Sequence, residues 1–232
     1  MRTITPPPIP QGGFFVRDDL PVLRGAYHET LAATCADVVR LGSLAREVVS
    51  LVTGALESRD LLNVGRVFEE QDRIDNLSRA LRQSCTELLW RQQPLASEFR
   101  LITAMLQIVT DLGDVGRHAV DIAKHTIRVR DAARLPALAE ITLVAKVAEG
   151  MLAAVMRAFE TEEIAAADRV LEREDELDRL YHLAVGILRT QLQEPANVDA
   201  GTNMLFIVAS VYRVGGHACN IAWHVKEMTA GA

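Results

Sequence analysis

Aromatic side chains are scarce in this sequence, at 5% of 232 residues. That scarcity argues against the stacking platforms on which single-stranded nucleic acids are held. No block of Lys and Arg stands out, and 25 basic against 31 acidic residues leave a net charge of −6. The chain therefore lacks the basic footprint of a protein that binds nucleic acid or an anionic membrane. The three cysteines, Cys35, Cys85 and Cys219, form no Cys-x-x-Cys pair and are odd in number, so neither a disulfide framework nor a cysteine zinc site is indicated. No run reaches about 18 uncharged apolar residues, and no transmembrane helix is expected. Met1 to Gly13 is Thr- and Pro-rich without an apolar signal core, which makes the cytoplasm the expected location. Phosphate-binding GxxxxGK[ST] loops, GxSxG elbows, HExxH zinc helices and kinase DFG sets are all missing. Ser and Cys occur without a paired base at a recognisable spacing, so the chain is read as a non-enzyme.

What the sequence does have is helix. Apolar residues make up 49% and charged residues 24%, ordinary for a globular protein. Prolines cluster at positions 6, 7, 8, 10 and 21 and then occur only at 94, 136 and 195. With Gly12 and Gly13, the first cluster marks residues 1–17 as a flexible, Pro-rich tail. The later prolines sit near the starts of long Pro-free stretches, where a helix tolerates them. Leu31, Cys35, Val38, Leu41, Leu44, Val48, Val52 and Leu56 recur at three- and four-residue steps, the signature of an amphipathic helix. Ser58-Arg59-Asp60 supplies capping chemistry for a second helix. The third runs from Phe99 through Ile102, Met105, Val109, Leu112 and Val115 to Ala123. A fourth runs from near Pro136 to Phe159. Thr161-Glu162-Glu163 caps a fifth over Ala165 to Gln193, and a sixth follows Asn197 to near Met228. Strand alternation is not seen. Helices of about 30 residues are about 45 Å long and must bury a stripe against neighbours, so the expectation is an all-α bundle.

The helices repeat. Arg66-Val67-Phe68-Glu69-Glu70-Gln71-Asp72-Arg73-Ile74-Asp75-Asn76-Leu77 matches the stretch Arg169 to Leu180 at an offset of 103 residues. Val115-Gly116-Arg117-His118-Ala119-Val120-Asp121-Ile122-Ala123 matches Val214-Gly215-Gly216-His217-Ala218-Cys219-Asn220-Ile221-Ala222 at an offset of 99. The first and fourth helices match only in length and periodicity. The unit is therefore helix–helix–helix, used twice: six long helices in two tandem three-helix bundles, residues 18–131 and 132–232. A helical glycine costs about 1 kcal/mol against alanine and usually has a packing reason. Gly116 with Ala119, and Gly215 with Ala218, make a small-residue strip that suits a tight helix crossing. His118 and His217 fall at the same place in the two copies, which favours a scaffold or interface role. His125 and His224 follow them at seven-residue spacing, and nothing in that spacing marks any of the four as a phosphoacceptor.

At these segments the chain resembles the PhoU family, whose signature is a helix with Glu-Arg-Ile-Gly-Asp-His-Ala-x-Asn-Ile-Ala-Glu, occurring twice. A helix with an acidic x-Asp-x-x-Ile-Asp-x-Leu segment precedes it. Arg91-Gln92-Gln93-Pro94-Leu95-Ala96-Ser97-Glu98-Phe99-Arg100-Leu101-Ile102 looks like the family's Arg-Gln-Pro-Val-Ala-x-Asp-Leu-Arg stretch, and Asn203 to Ala209 continues the match in the second copy. The resemblance spans roughly residues 22 to 230. It implies a cytoplasmic adaptor that negatively regulates phosphate uptake and phosphate-starvation signalling. The implied partners are a phosphate ABC transporter ATPase and a sensor histidine kinase. It also implies a homodimer that meets the membrane only through those partners. Two other readings remain open, a metal-binding protein of the same fold and a paralogue serving another transporter.

The resemblance further implies metal clusters on acid pairs spaced Glu/Asp-x-x-x-Asp on the second and third helices of each repeat. Acids four apart share one helix face and offer hard oxygen ligands to iron, manganese or magnesium. Glu174 and Asp178 keep one such pair, and Asp75 keeps half of another beside Gln71. The remaining positions carry Gly113 and Arg117 in the first repeat and Tyr212 and Gly216 in the second. No cofactor is expected beyond a residual divalent or iron-type metal at Glu174, Asp178 or Asp75. Asp114, His118 and Asp121 form one further candidate set, which reads equally as polar helix surface.

Overall fold

The computed structural model describes residues 20–91, 94 and 96–229. The tail expected at residues 1–17 and part of the Arg91–Leu95 connection lie outside the described residues. The helices are α1 (Leu20–Ser58), α2 (Leu61–Arg91), α3 (Ala96–Val129), α4 (Leu138–Thr161), α5 (Ile164–Leu171), α6 (Glu174–Gln191) and α7 (Val198–Thr229), with one 3₁₀ turn at Pro195–Asn197. Among the described residues there is no strand. The protein is all-α, six rods with the fifth in two pieces, arranged as two three-helix units.

The apolar periodicity becomes buried stripes. On α1, Val38, Leu41, Ala45, Val48, Val52 and Leu56 are enclosed. On α3, Ile102, Met105, Ile108, Val109, Leu112, Val115 and Ala119 do the same work. Burying such side chains contributes roughly 1.5–3 kcal/mol each, which holds rods with few long-range turns in place. Asp60 caps α2, its Oδ1 accepting from the Leu62 N–H at 2.9 Å. Arg59, in the left-handed region with φ of 59°, sends its guanidinium to the Ala132 carbonyl at 2.7 Å. One hydrogen bond thus ties the α1–α2 turn to the α3–α4 connection.

Three features of the helices differ from the sequence expectation. First, the first and fourth helices do not match in length, 39 residues in α1 against 24 in α4, although α4 itself falls close to the expected span from Pro136 to Phe159 and is closed by the left-handed residues Ala137 and Glu162. Second, Thr161 does not cap the fifth helix. Its hydroxyl donates back to the Arg157 carbonyl at 2.9 Å, and the N-cap is Glu163, without a side-chain cap bond. Third, the fifth helix breaks at Glu172–Arg173, where the Arg173 N–H bonds three residues back to Val170, the tighter 3₁₀ pattern. The break seats Arg173 beside Gly150 of α4, where a Cβ would lie 2.9 Å from its Nη1.

The centre of the bundle is α3 packed on α7. α3 also contacts α1 and α2, whereas α7 contacts α4, α5 and α6. By composition α7 could cross a membrane, with a mean hydropathy of 1.2 over its most apolar window. More than half of that window, 56%, is buried inside the bundle, as a central helix requires. A second contact between the units brings α1 to α4 at Gly42, where a Cβ would lie 2.6 Å from Met156 Cε.

Within each unit the third helix crosses the second at the repeated glycine. A Cβ on Gly116 would overlap Gln71 Oε1 and lie 3.2 Å from Ile74 Cδ1. A Cβ on Gly215 would overlap Leu177 Cδ2. Ile74 and Leu177 are equivalent across the repeat, so both crossings use one design. Ala119 and Ala218 beside the glycines are fully enclosed. Gly216, one residue further on, has no atom within 4 Å of its Cβ position. Gly215→Ala is therefore expected to destabilise by about 1–3 kcal/mol through overpacking against buried Leu177. Gly216→Ala should stabilise by about 0.5–1 kcal/mol through reduced backbone freedom. Thermal or urea unfolding of the two variants beside wild type reads the opposite signs directly.

Candidate functional site

Polar residues recur every seven positions along the facing sides of α3 and α7: Asp111, His118 and His125 on one, Asn203, Ser210, His217 and His224 on the other. The helices run antiparallel, so these residues meet in a ladder. In its middle His118 meets His217, with ring centroids 5.4 Å apart and planes 32° apart. Towards one end, Asp111 Oδ1 accepts from His217 Nδ1 at 2.8 Å and from Asn220 Nδ2 at 3.2 Å. Asp111 Oδ2 lies 3.6 Å from His224 Nε2, and His224 Nδ1 lies 3.2 Å from Glu227 Oε2. Towards the other end, the His125 ring N–H donates to Asn203 Oδ1 at 2.8 Å, and the ring stacks on Phe206 at 4.8 Å. The four histidines of α3 and α7 thus sit along the boundary between the two repeats.

The ladder is not symmetric. The counterpart of Asp111 in the second repeat is Ser210, so His118 faces no matching acid. Its Nδ1 is buried without a hydrogen-bond partner, and burial followed by the nearby His217 and Arg213 lowers its pKa. Asp111 is only 8% exposed. Burial pushes its carboxyl up, but the bonds from His217, His224 and Asn220 outweigh it and hold the group at about 2. The bond to Asp111 in turn raises His224, against the opposite pull of burial. A cleft of about 310 Å³ lined by Arg100, Thr103, Gln107 and Glu227 opens beside this end of the ladder.

The positions where the family resemblance implies metal ligands hold a different chemistry. Asp178 Oδ1 accepts from the Tyr212 hydroxyl at 2.8 Å. Asp75 Oδ1 accepts from Gln71 Nε2 at 3.0 Å and lies 4.0 Å from Arg117 Nη1. Arg117 is also bonded by Asp114, and Asp121 pairs with Lys124 at 3.2 Å. The Asp114, His118 and Asp121 set is therefore not assembled as a ligand group. Among the described residues no three His, Cys, Asp or Glu side chains converge on a metal position. This donor set does not fit a multinuclear centre: Asp75, Asp178, Asp114 and Asp121 are engaged by protein donors, two of which, Arg117 and Lys124, are cations.

The helix-packing residues Gly116, His118, Ala119, Gly215, His217 and Ala218 all lie at helix contacts, the glycines at the α2–α3 and α6–α7 crossings and the histidines on the α3–α7 seam. Asp111 and Asn220 were not singled out by the sequence reading. The heptad that carries the histidines pointed to Asp111, which lies seven residues before His118.

A profile of the PhoU domain matches the chain twice, over residues 38–126 and 141–225. The phosphate-specific transport system accessory protein PhoU homolog of Caulobacter vibrioides is 30% identical over 199 residues, covering 85% of this chain and 86% of that one. The homologue of the same description from Rhizobium meliloti is 29% identical over 218 residues, with 90% of each chain covered. The crystal structure of PhoU from Pseudomonas aeruginosa matches with a TM-score of 0.86 at 26% identity, over 89% of this chain and all of that one. The chain belongs to the PhoU family.

The Asp111 ladder makes stability depend on pH in two windows of opposite sense. The folded Asp111 carboxyl titrates below its unfolded value, so its stabilisation is present above about pH 4 and is lost as pH falls through about 2. The folded His224 value is raised. Its contribution is therefore full below about pH 6.5 and is lost as pH rises through the folded value. Asp111→Asn is expected to cost about 1–3 kcal/mol at pH 7, a deficit that shrinks as pH approaches the Asp111 transition. In the same variant the NMR titration of the His224 ring should move to lower pH.

Proposed function

We propose that this chain is a regulatory accessory of a phosphate-specific transport system. It links the ATPase of a phosphate ABC transporter to a sensor histidine kinase, and it lowers phosphate uptake and phosphate-starvation signalling when phosphate is plentiful. The observation that carries this reading is the match of both repeats, in order and over most of the chain, to relatives described as phosphate-specific transport system accessory proteins.

The chemistry of the seam supports a binding role rather than a reaction. Asp111, His217, His224 and Asn220 are spent on one another, and such a network rigidifies a contact between helices. Large apolar side chains remain in solvent on the helix exteriors, Leu62 and Trp90 each at 82% exposure, and they offer contact area to protein partners. In this reading the protein is a non-catalytic homodimer of the cytoplasm, brought to the membrane by its partners.

Two measurements test it together. Purified chain is expected to capture the transporter ATPase and the cytoplasmic part of the kinase. Deletion of its gene is expected to switch on a phosphate-starvation reporter in phosphate-rich medium. Absence of binding to both partners, together with an unchanged reporter, would remove the proposal.

A further inference from the structure

Asp75 on α2 and Asp178 on α6 occupy the same position in the two repeats, 103 residues apart. Each is met by a side chain from the third helix of its own repeat, through an ion pair in the first and a hydrogen bond in the second. In the first repeat it is Arg117, whose guanidinium pairs with Asp75 across 4.0 Å while its Nε donates to Asp114 at 3.0 Å. Gln71 fills a further site on Asp75 Oδ1. In the second repeat the donor is Tyr212, at 2.8 Å from Asp178. Its ring is fixed by stacking on Tyr181, with centroids 4.4 Å apart.

The two donors are not equivalent residues. Arg117 corresponds to Gly216, and Tyr212 corresponds to Gly113, at the offset of 99. Each repeat therefore carries one long donor and one glycine at this pair of positions, in opposite order. A Cβ on Gly113 would already stand 4.0 Å from Arg117 Nη1, so a longer side chain there would compete for the space the guanidinium uses. Both repeats thus set a third-helix side chain against a second-helix carboxylate, by an ion pair in the first and a hydrogen bond in the second, from non-equivalent positions.

We propose that Arg117 and Tyr212 take the place of bound cations in this chain, tying α2 to α3 by an ion pair and α6 to α7 by a hydrogen bond, so that these helix pairs hold together without metal. The two ties differ in kind. Arg117 brings its own positive charge to Asp75 and repels a second cation. Tyr212 is neutral and occupies a lone pair of Asp178. Bonding to Asp178, with burial as a second cause, pushes its hydroxyl up to about 12, so it remains a donor across the working pH range.

The test uses the full chain purified without chelator. Wild type is expected to contain well under one equivalent of iron, manganese or zinc by elemental analysis. Its Tm should be unmoved by millimolar Mn²⁺ or by EDTA, because a ligand that bound only the folded state would raise Tm by mass action. Tyr212→Phe, which keeps the ring, should lower Tm by about 2–4 °C in metal-free buffer. Tyr212→Asp and Arg117→Asp put a carboxylate where the donor was, and Mn²⁺ should then raise Tm in at least one of them. Stoichiometric metal in wild type, or a wild-type Tm raised by Mn²⁺, would overturn the proposal. So would Tyr212→Phe and Arg117→Gln variants that both unfold at the wild-type temperature.

Discussion

A carboxylate placed between two helices of different repeats is costly unless every lone pair finds a donor. Asp111 meets that condition through α7: His217, Asn220 and His224 all reach it from the facing helix. The requirement fixes how far α3 can slide along α7, since a shift of one turn would leave the charge unpaired. Because α3 also contacts α1 and α2, and α7 also contacts α4, α5 and α6, fixing that register places the remaining helices. Hydrophobic burial supplies the attraction between the rods, whereas the buried charge and its donors select one alignment of them.

The close crossings at Gly116 and Gly215 act one level below. They bring α2 onto α3 and α6 onto α7 through Ile74 and Leu177, so each unit presents its third helix in the same pose to the other unit. The crystal structure of PhoU from Pseudomonas aeruginosa has this fold in common. Above the crossings, Arg117 and Tyr212 face Asp75 and Asp178.

Much of this architecture was legible in the residues. Three- and four-residue apolar steps marked the rods, Asp60 marked the start of α2, and the duplicated Gly-x-His-Ala marked the helices that carry the seam. Where the reading erred, the cause was tertiary or backbone-specific. The break at Glu172–Arg173 has no Gly or Pro to announce it, and it accompanies the seating of Arg173 beside Gly150 of another helix. Ala137 and Glu162 adopt left-handed backbone without being Gly or Asn, so the conformation that closes α4 gave no local sign, although Pro136 marked where the helix begins. Asp111 was hidden for another reason. It occurs in one repeat only, and its first partner is 106 residues away, so comparison of the two copies removed it from view.

That single acid has a geometric consequence. A duplicated chain whose halves stayed alike would have a twofold axis through the His118–His217 contact, and its two ends would look the same to anything approaching them. Ser210 in place of a second aspartate breaks the axis. One end of the seam carries a buried negative charge with Glu227 beyond it, and the other carries an uncharged Asn203 and the stacked His125–Phe206 pair. The seam therefore has a direction, with a charged end and an uncharged one.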